Sequence, residues 1–170
     1  MRRAIPALVL VTYAILSVSI FAEPTSKVVH AQVLQIVDGD SVTVSLDGEL
    51  ERVRLADIDA PEHDQPFSTD SRQSLFDLCL WVHAELTSNS RDHYGRTIAR
   101  VKCNGVDVNA EQVRRGLAWV KDQSATDRTL YTLQNEARSA RRGLWSRESP
   151  VPPWEWHPFH NYQPTEDPYQ

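Results

Sequence analysis

The residues best equipped for chemistry fall in three short clusters. Asp38-Gly39-Asp40 sets two carboxylates around a glycine. The stretch from Arg54 through Asp57 and Asp59 to Glu62 puts a guanidinium and three acids on an apolar run that breaks at Ala60-Pro61. Asp92-His93-Tyr94-Gly95-Arg96 offers a second arginine on a glycine turn. Carboxylate oxygens are hard donors of the kind Ca²⁺ takes. A guanidinium presents planar, paired donors that suit a phosphate and never deprotonate. Together, a cation, acids and an enforced bend point to a site for an anion and a metal. Taken singly, the clusters read as a hairpin turn, a strand-end ion pair and a surface charge.

These groups can meet only if the backbone brings them together. Arg54 and Asp59 are five residues apart, so an unbroken strand would turn them to opposite faces. They share a site only if the chain bends near Ile58. Pro61 has no N–H and pushes Ala60 away from helical angles, which ends the strand and leaves Glu62 leading a loop.

The remaining patterning supplies the frame. His30 to Val37 forms a first strand, with Val33, Leu34, Ile36 and Val37 marking the core, and Asp38-Gly39 signals a hairpin. Ser41 to Leu46 alternates with period two. Asp47-Gly48 then turns the chain into Arg52–Ile58, completing a three-stranded meander. Ser68 to Ser71 supply N-cap residue types for a helix whose apolar face is Leu75, Phe76, Leu78, Cys79 and Val82. Strands follow at His83–Ser88 and Thr97–Cys103, with a brief pairing at Val106–Val108. Asn109 caps a short helix, Ala110–Arg115, which Gly116 stops. A last helix runs within Asp127–Arg142, where Leu130, Leu133, Ala137 and Ala140 recur at helical spacing, and Gly143 terminates it. The fold class is α+β: a five-stranded Greek-key OB-fold β-barrel with an inserted helix and C-terminal helices.

Asp-Gly-Asp, then Arg-x4-Asp-x-Pro-Glu, then Tyr-Gly-Arg, in this order and at these distances, closely resembles the staphylococcal nuclease (thermonuclease) family from about Val29 to Trp145. The resemblance implies the same barrel and a calcium-dependent hydrolysis of DNA and RNA that leaves 3′-phosphate ends. It places Ca²⁺ on Asp40, Asp59 and the backbone carbonyl of Ala60, with Asp38 holding a water beside the ion. Glu62 matches the acid that orients or deprotonates the attacking water, and Arg54 and Arg96 match the two arginines that grip the scissile phosphate. His93 and Tyr94 fall where the family contacts the far phosphate of its nucleotide, with His93 in place of a lysine. The chain departs from the pattern at Lys121-Asp122-Gln123-Ser124, where staphylococcal nuclease carries tyrosines that flank the base. It also departs at Asp57, where relatives often have glycine and where the acid would add negative charge near the phosphate site, and at Trp81.

A chain of 170 residues is one domain's worth. Arg2-Arg3 followed by an apolar run to Ala22 reads as a signal peptide cut after Ala22, and an uncleaved membrane anchor is the alternative. Residues 23–149 then form the nuclease domain and 150–170 a Pro- and aromatic-rich tail, extended and partly disordered. The chain is expected outside the cytoplasm, periplasmic or secreted, as a monomer without a stable membrane partner once cut. The formal charge is −5 and becomes −7 when residues 1–22, carrying Arg2, Arg3 and no acid, are removed. That balance argues against a broad basic face for tight non-specific DNA binding, but not against a few arginines and an ion setting a local field. Cys79 and Cys103 read equally as a disulfide or as two buried thiols, and no third cysteine suggests zinc. Two rivals remain: a non-catalytic OB module that binds nucleic acid, and an envelope protein whose Trp154-Glu155-Trp156 docks a partner.

Overall fold

The computed structural model describes residues 27–121, 125 and 127–157. The expected signal peptide and the end of the tail lie outside the described residues. Among the described residues, eight strands and three α-helices follow in order: β1 (Lys27–Ile36), β2 (Ser41–Leu46), β3 (Glu49–Leu55), β4 (Ile58–Asp59), α1 (Ser68–Cys79), β5 (His83–Arg91), β6 (Thr97–Cys103), β7 (Val106–Asp107), α2 (Val108–Arg114), β8 (Trp119–Val120) and α3 (Arg128–Ser139). The sheet runs β3-β2-β1-β5-β6-β7, and a further β3–β6 pairing joins its ends. That seam is parallel and pairs Val53 with Thr97, Arg54 with Ile98 and Leu55 with Ala99, while the other ladders are antiparallel. The result is the closed five-stranded OB-fold barrel that the alternation pattern implied.

The barrel interior is filled by alternating aliphatic residues, among them Val42, Val44, Val53, Leu55, Leu86 and Val101. In β1 the register slips between Val33 and Gln35. An extra residue there lets Val33 and Ile36, three apart, both face inward, whereas Leu34 and Val37 are only half-buried. Leu75 and Cys79 of α1, Val108 and Val113 of α2 and Leu130 of α3 close the core. Cys79 and Cys103 form a disulfide that ties the end of α1 to the end of β6.

Several local expectations are corrected. Helix α1 begins after Phe67, a left-handed residue (φ 70°) with no side-chain cap, so Ser68 to Ser71 occupy its first turn rather than its cap. Its buried face includes Ser71 and Ser74, while Phe76 is exposed. Asp107, not Asn109, caps α2 by accepting from the Ala110 N–H at 3.0 Å. Asn109 is instead buried, accepting from Val101 N–H and donating to the Ala56 carbonyl at 2.9 Å. Strand β3 ends at Leu55 rather than at Ile58. The tail is not merely extended: Pro153–Glu155 form a 3-10 turn and Pro153 is buried.

Candidate active site

The hairpin tip between β1 and β2 carries Asp38 and Asp40, and glycine is what lets it dock. A Cβ on Gly39 would lie 1.9 Å from Ser71 Oγ and 2.8 Å from Ala60 Cβ, so only glycine allows the tip this close to α1 and the β4 end. The buried amide of Gln112 then clamps the tip by donating to the Gly39 carbonyl at 2.7 Å and the Ser71 carbonyl at 2.9 Å. Asp38 Oδ1 accepts the Asp40 N–H at 3.0 Å, an Asx-type bond that shapes the turn.

The bend that brings Arg54 to Asp59 falls at Ala56-Asp57, just before Ile58, as expected. Asp57 has φ 65°, a left-handed conformation that favours glycine. Its carboxylate does not line the cleft, and its Oδ2 lies 3.7 Å from Arg100 Nη1. Beyond the bend, Asp59 pairs with Trp119 of β8, which fixes β4 against the body of the protein. Arg54 closes the bend from within: Nη1 donates to the Leu55 carbonyl at 3.0 Å and the Ile58 carbonyl at 2.9 Å. The same guanidinium lies 3.1 Å from Asp40 Oδ2 and pairs with Asp59 Oδ1. Asp40 Oδ2 also accepts the Ala60 N–H at 2.5 Å.

One cleft of about 430 Å³ is lined by Asp38, Asp40, Arg54, Asp59, Ala60, Glu62 and Arg96, together with Val37, Pro61, His63 and Lys121. All seven residues assigned to catalysis and metal from the sequence therefore meet at one place. His93 and Tyr94 do not line it. Tyr94, 74% exposed, lines an adjoining groove with Arg52, Arg91 and Arg96, so Arg96 borders both. Arg96 is aimed by Asp92, whose Oδ2 accepts from Nε at 2.7 Å, and its guanidinium carbon lies 5.6 Å from the Tyr94 ring centroid. Lys121 is a cleft residue that the motif reading did not pick out. It follows β8, and its N–H donates to the Asp57 carbonyl at 2.9 Å, a placement set by long-range pairing.

The cleft's electrostatics are dominated by crowded acids. Burial pushes the Asp40 carboxyl up, Arg54 opposes the rise, and Asp38 and Asp59 add to it. Burial likewise raises Asp59 against the pull of Arg54 and Lys121. Glu62 is raised by partial burial and then by Asp59 and Asp38. Negative charge thus exceeds what Arg54 neutralises, which is the setting a divalent cation would relieve. Among the described residues no three His, Cys, Asp or Glu side chains converge as a complete metal cage. Asp40 and Asp59, as hard oxygen donors, suit Ca²⁺ with water and a phosphate filling the rest of its shell.

A closed OB barrel whose rim cleft sets arginines against carboxylates defines a protein suited to a phosphodiester. Residues 52–147 match the profile of the family described as staphylococcal nuclease homologue. Similar proteins include an uncharacterized endonuclease of Escherichia coli O157:H7, 42% identical over 129 residues that cover 75% of this chain and 84% of its own. A micrococcal nuclease of Shigella flexneri is 36% identical over 167 residues, covering 92% and 95% of the two chains. A staphylococcal-like nuclease of Arabidopsis thaliana is 33% identical over 105 residues, 62% of this chain and 32% of that one. The chain belongs to the staphylococcal nuclease family. Asp38 and Asp40 lie ahead of the profile-matched stretch, so their case rests on the cleft.

Proposed function

We propose that this protein is an exported, calcium-dependent, sugar-non-specific nuclease that hydrolyses DNA and RNA and leaves 3′-phosphate ends. The observation that carries the reading is the convergence of Arg54, Arg96 and Glu62 with Asp38, Asp40 and Asp59 on one cleft. Bound at Asp40, Asp59 and the Ala60 carbonyl, Ca²⁺ would offset the charge of the phosphate under attack. Glu62 orients or deprotonates the attacking water, and its raised affinity for a proton suits a base that must receive one. Arg54 and Arg96 bind the phosphate from two sides and counter the charge that builds on its oxygens. Asp38 orients a water beside the ion. His93 and Tyr94, outside the cleft but next to Arg96, meet a neighbouring phosphate along the strand.

The test is cleavage of single-stranded DNA, double-stranded DNA and RNA by the purified chain, with Ca²⁺ and with chelator, followed by end-group analysis. Cleavage of all three that stops with chelator and leaves 3′-phosphates is expected. Cleavage indifferent to chelator would sink the calcium assignment, and no cleavage would favour a binding module. Export is supported by the basic, then apolar start of the chain and by the Cys79–Cys103 bridge, which suits an oxidising compartment. Cell fractionation and a mature N-terminus at Glu23 check it.

A further inference from the structure

Glu62 sits on a loop with no regular secondary structure, yet its aim decides whether it can act on water. The loop is organised around a buried polar side chain, Gln65. Its Oε1 accepts the Glu62 N–H at 3.0 Å, and its backbone N–H donates to the Glu62 carbonyl at 2.9 Å. Its Nε2 donates to the Val151 carbonyl at 2.5 Å, 86 residues away. A buried amide must satisfy both ends, so the bond to Val151 decides which way Gln65 presents its oxygen to Glu62. A second bond joins the same two segments, as the Trp156 indole N–H donates to Asp64 Oδ1 at 3.0 Å. Between these bonds the tail shares a small cavity with Gln65, Pro66, Trp119 and Leu144. Trp119 is the β8 residue paired with Asp59, so the tail backs both the Glu62 loop and the Asp59 strand.

We propose that Gln65 is a positioning residue for Glu62 and that the tail segment around Val151 and Trp156 is the clasp that holds it in place. The proposal rests on the nuclease reading, in which Glu62 acts on the attacking water. The clasp works through backbone aim: it fixes the Glu62 N–H and carbonyl, and so the direction of the side chain. A displacement on the order of 1 Å at a reacting group can lower a rate by about 10²-fold. The phosphate-binding arginines are anchored elsewhere, Arg54 on β3 and Arg96 on Asp92. Loss of the clasp therefore lowers kcat and leaves KM nearly unchanged.

The test compares the full chain with Gln65→Ala, Trp156→Phe, a chain stopped after Ser149, and Gln65→Ala in the stopped chain. Steady-state cleavage of one oligonucleotide is read alongside thermal melting. The expected result is a kcat lower by about tenfold or more for Gln65→Ala and for the stopped chain, with KM within about twofold. Trp156→Phe keeps the ring and loses one bond, so its loss is smaller. The combined variant loses clearly less than the product of its parents' losses, because both changes remove the Gln65–Val151 connection. Losses that multiply, or that appear in KM alone, overturn the proposal. If the stopped chain does not fold, Trp156→Phe and Gln65→Ala in the full-length protein carry the same comparison. Placed in a Glu62→Gln background, Gln65→Ala should change kcat no further, and an additional loss there overturns the clasp. A wild-type rate for Glu62→Gln alone would instead overturn the nuclease assignment of Glu62, a separate outcome.

Discussion

The two walls of the cleft are built differently. On one, Asp40, Arg54 and Asp59 are buried or half-buried and locked to one another and to the backbone of the barrel. On the other, Glu62 is exposed and Arg96 half-buried, and each is aimed by a single neighbour, Gln65 and Asp92. The inner wall couples function to folding, because its charges are also part of the packing. The outer wall can be altered with little effect on the fold.

Arg54→Ala puts the strongest strain on this contrast. It should lower turnover by at least about 10²-fold and destabilise the protein by about 3–5 kcal/mol, the scale for leaving a buried charge without its partner. With Arg54 gone, Asp40 loses the largest effect opposing burial and keeps the Ala60 N–H bond, so its folded-state pKa climbs further above the unfolded value. A raised carboxyl destabilises as pH rises past its unfolded pKa up to its folded one. Asp40 already reaches about 8 with Arg54 present, so the variant's extra deficit should grow as pH rises through about 8 and be absent in acid. Chemical denaturation across pH, with chelator present, checks it, and a deficit independent of pH would break the claim.

Glu62→Gln and Arg96→Ala should show the outer-wall signature: turnover lower by at least about 10²-fold with stability within about 0.5 kcal/mol of wild type. Rates near wild type would remove either residue from the mechanism. Gly39→Ala should do the reverse of a simple active-site change. Its methyl overlaps Ser71 and Ala60, so melting should reveal a loss of about 1–3 kcal/mol, with activity falling because Asp38 and Asp40 move together.

The smallest effect lies away from both walls. Thr129, through its hydroxyl and N–H, and then Arg100 hold the Asp127 carboxyl below the usual range. A lowered carboxyl stabilises above its unfolded pKa, near 4, and that contribution is lost as pH falls through its folded value. Asp127→Asn should flatten the acid edge of the melting profile slightly, and no change there would mean the contact contributes nothing.

How much of this could be read in the residues depended on the range of the forces involved. Strand β2 lies where the period-two alternation put it, Ser41–Leu46, because alternation on a half-buried surface is a local signal, and β6 lies at the expected Thr97–Cys103. The inner wall was legible through the order and spacing of its motifs, which carry the family resemblance, with Gly39 and Pro61 as local marks of the turn and the strand end. Reading failed where the deciding partner lies far away. Asp107 displaced Asn109 as a cap because Asn109 is used across the fold, on Ala56 and Val101. Strand β8 is two residues long and exists only because β4 needs a neighbour. Lys121 and Gln65 carry no motif, and each gained its place from a contact dozens of residues away. Residues 122–124, where the family's tyrosines stand, lie outside the described residues.

The seam between β3 and β6 has a consequence for how the chain survives its own valines. Strands rich in Val with unpaired edges are templates for aggregation, and closing a barrel removes those edges. Here closure depends on three residue pairs, Val53–Thr97, Arg54–Ile98 and Leu55–Ala99, the shortest ladder in the ring. A molecule that opens there presents two sticky margins at once. Because Arg54 lies in the middle of that seam, the residue proposed to grip the phosphate also belongs to the ladder that closes the barrel.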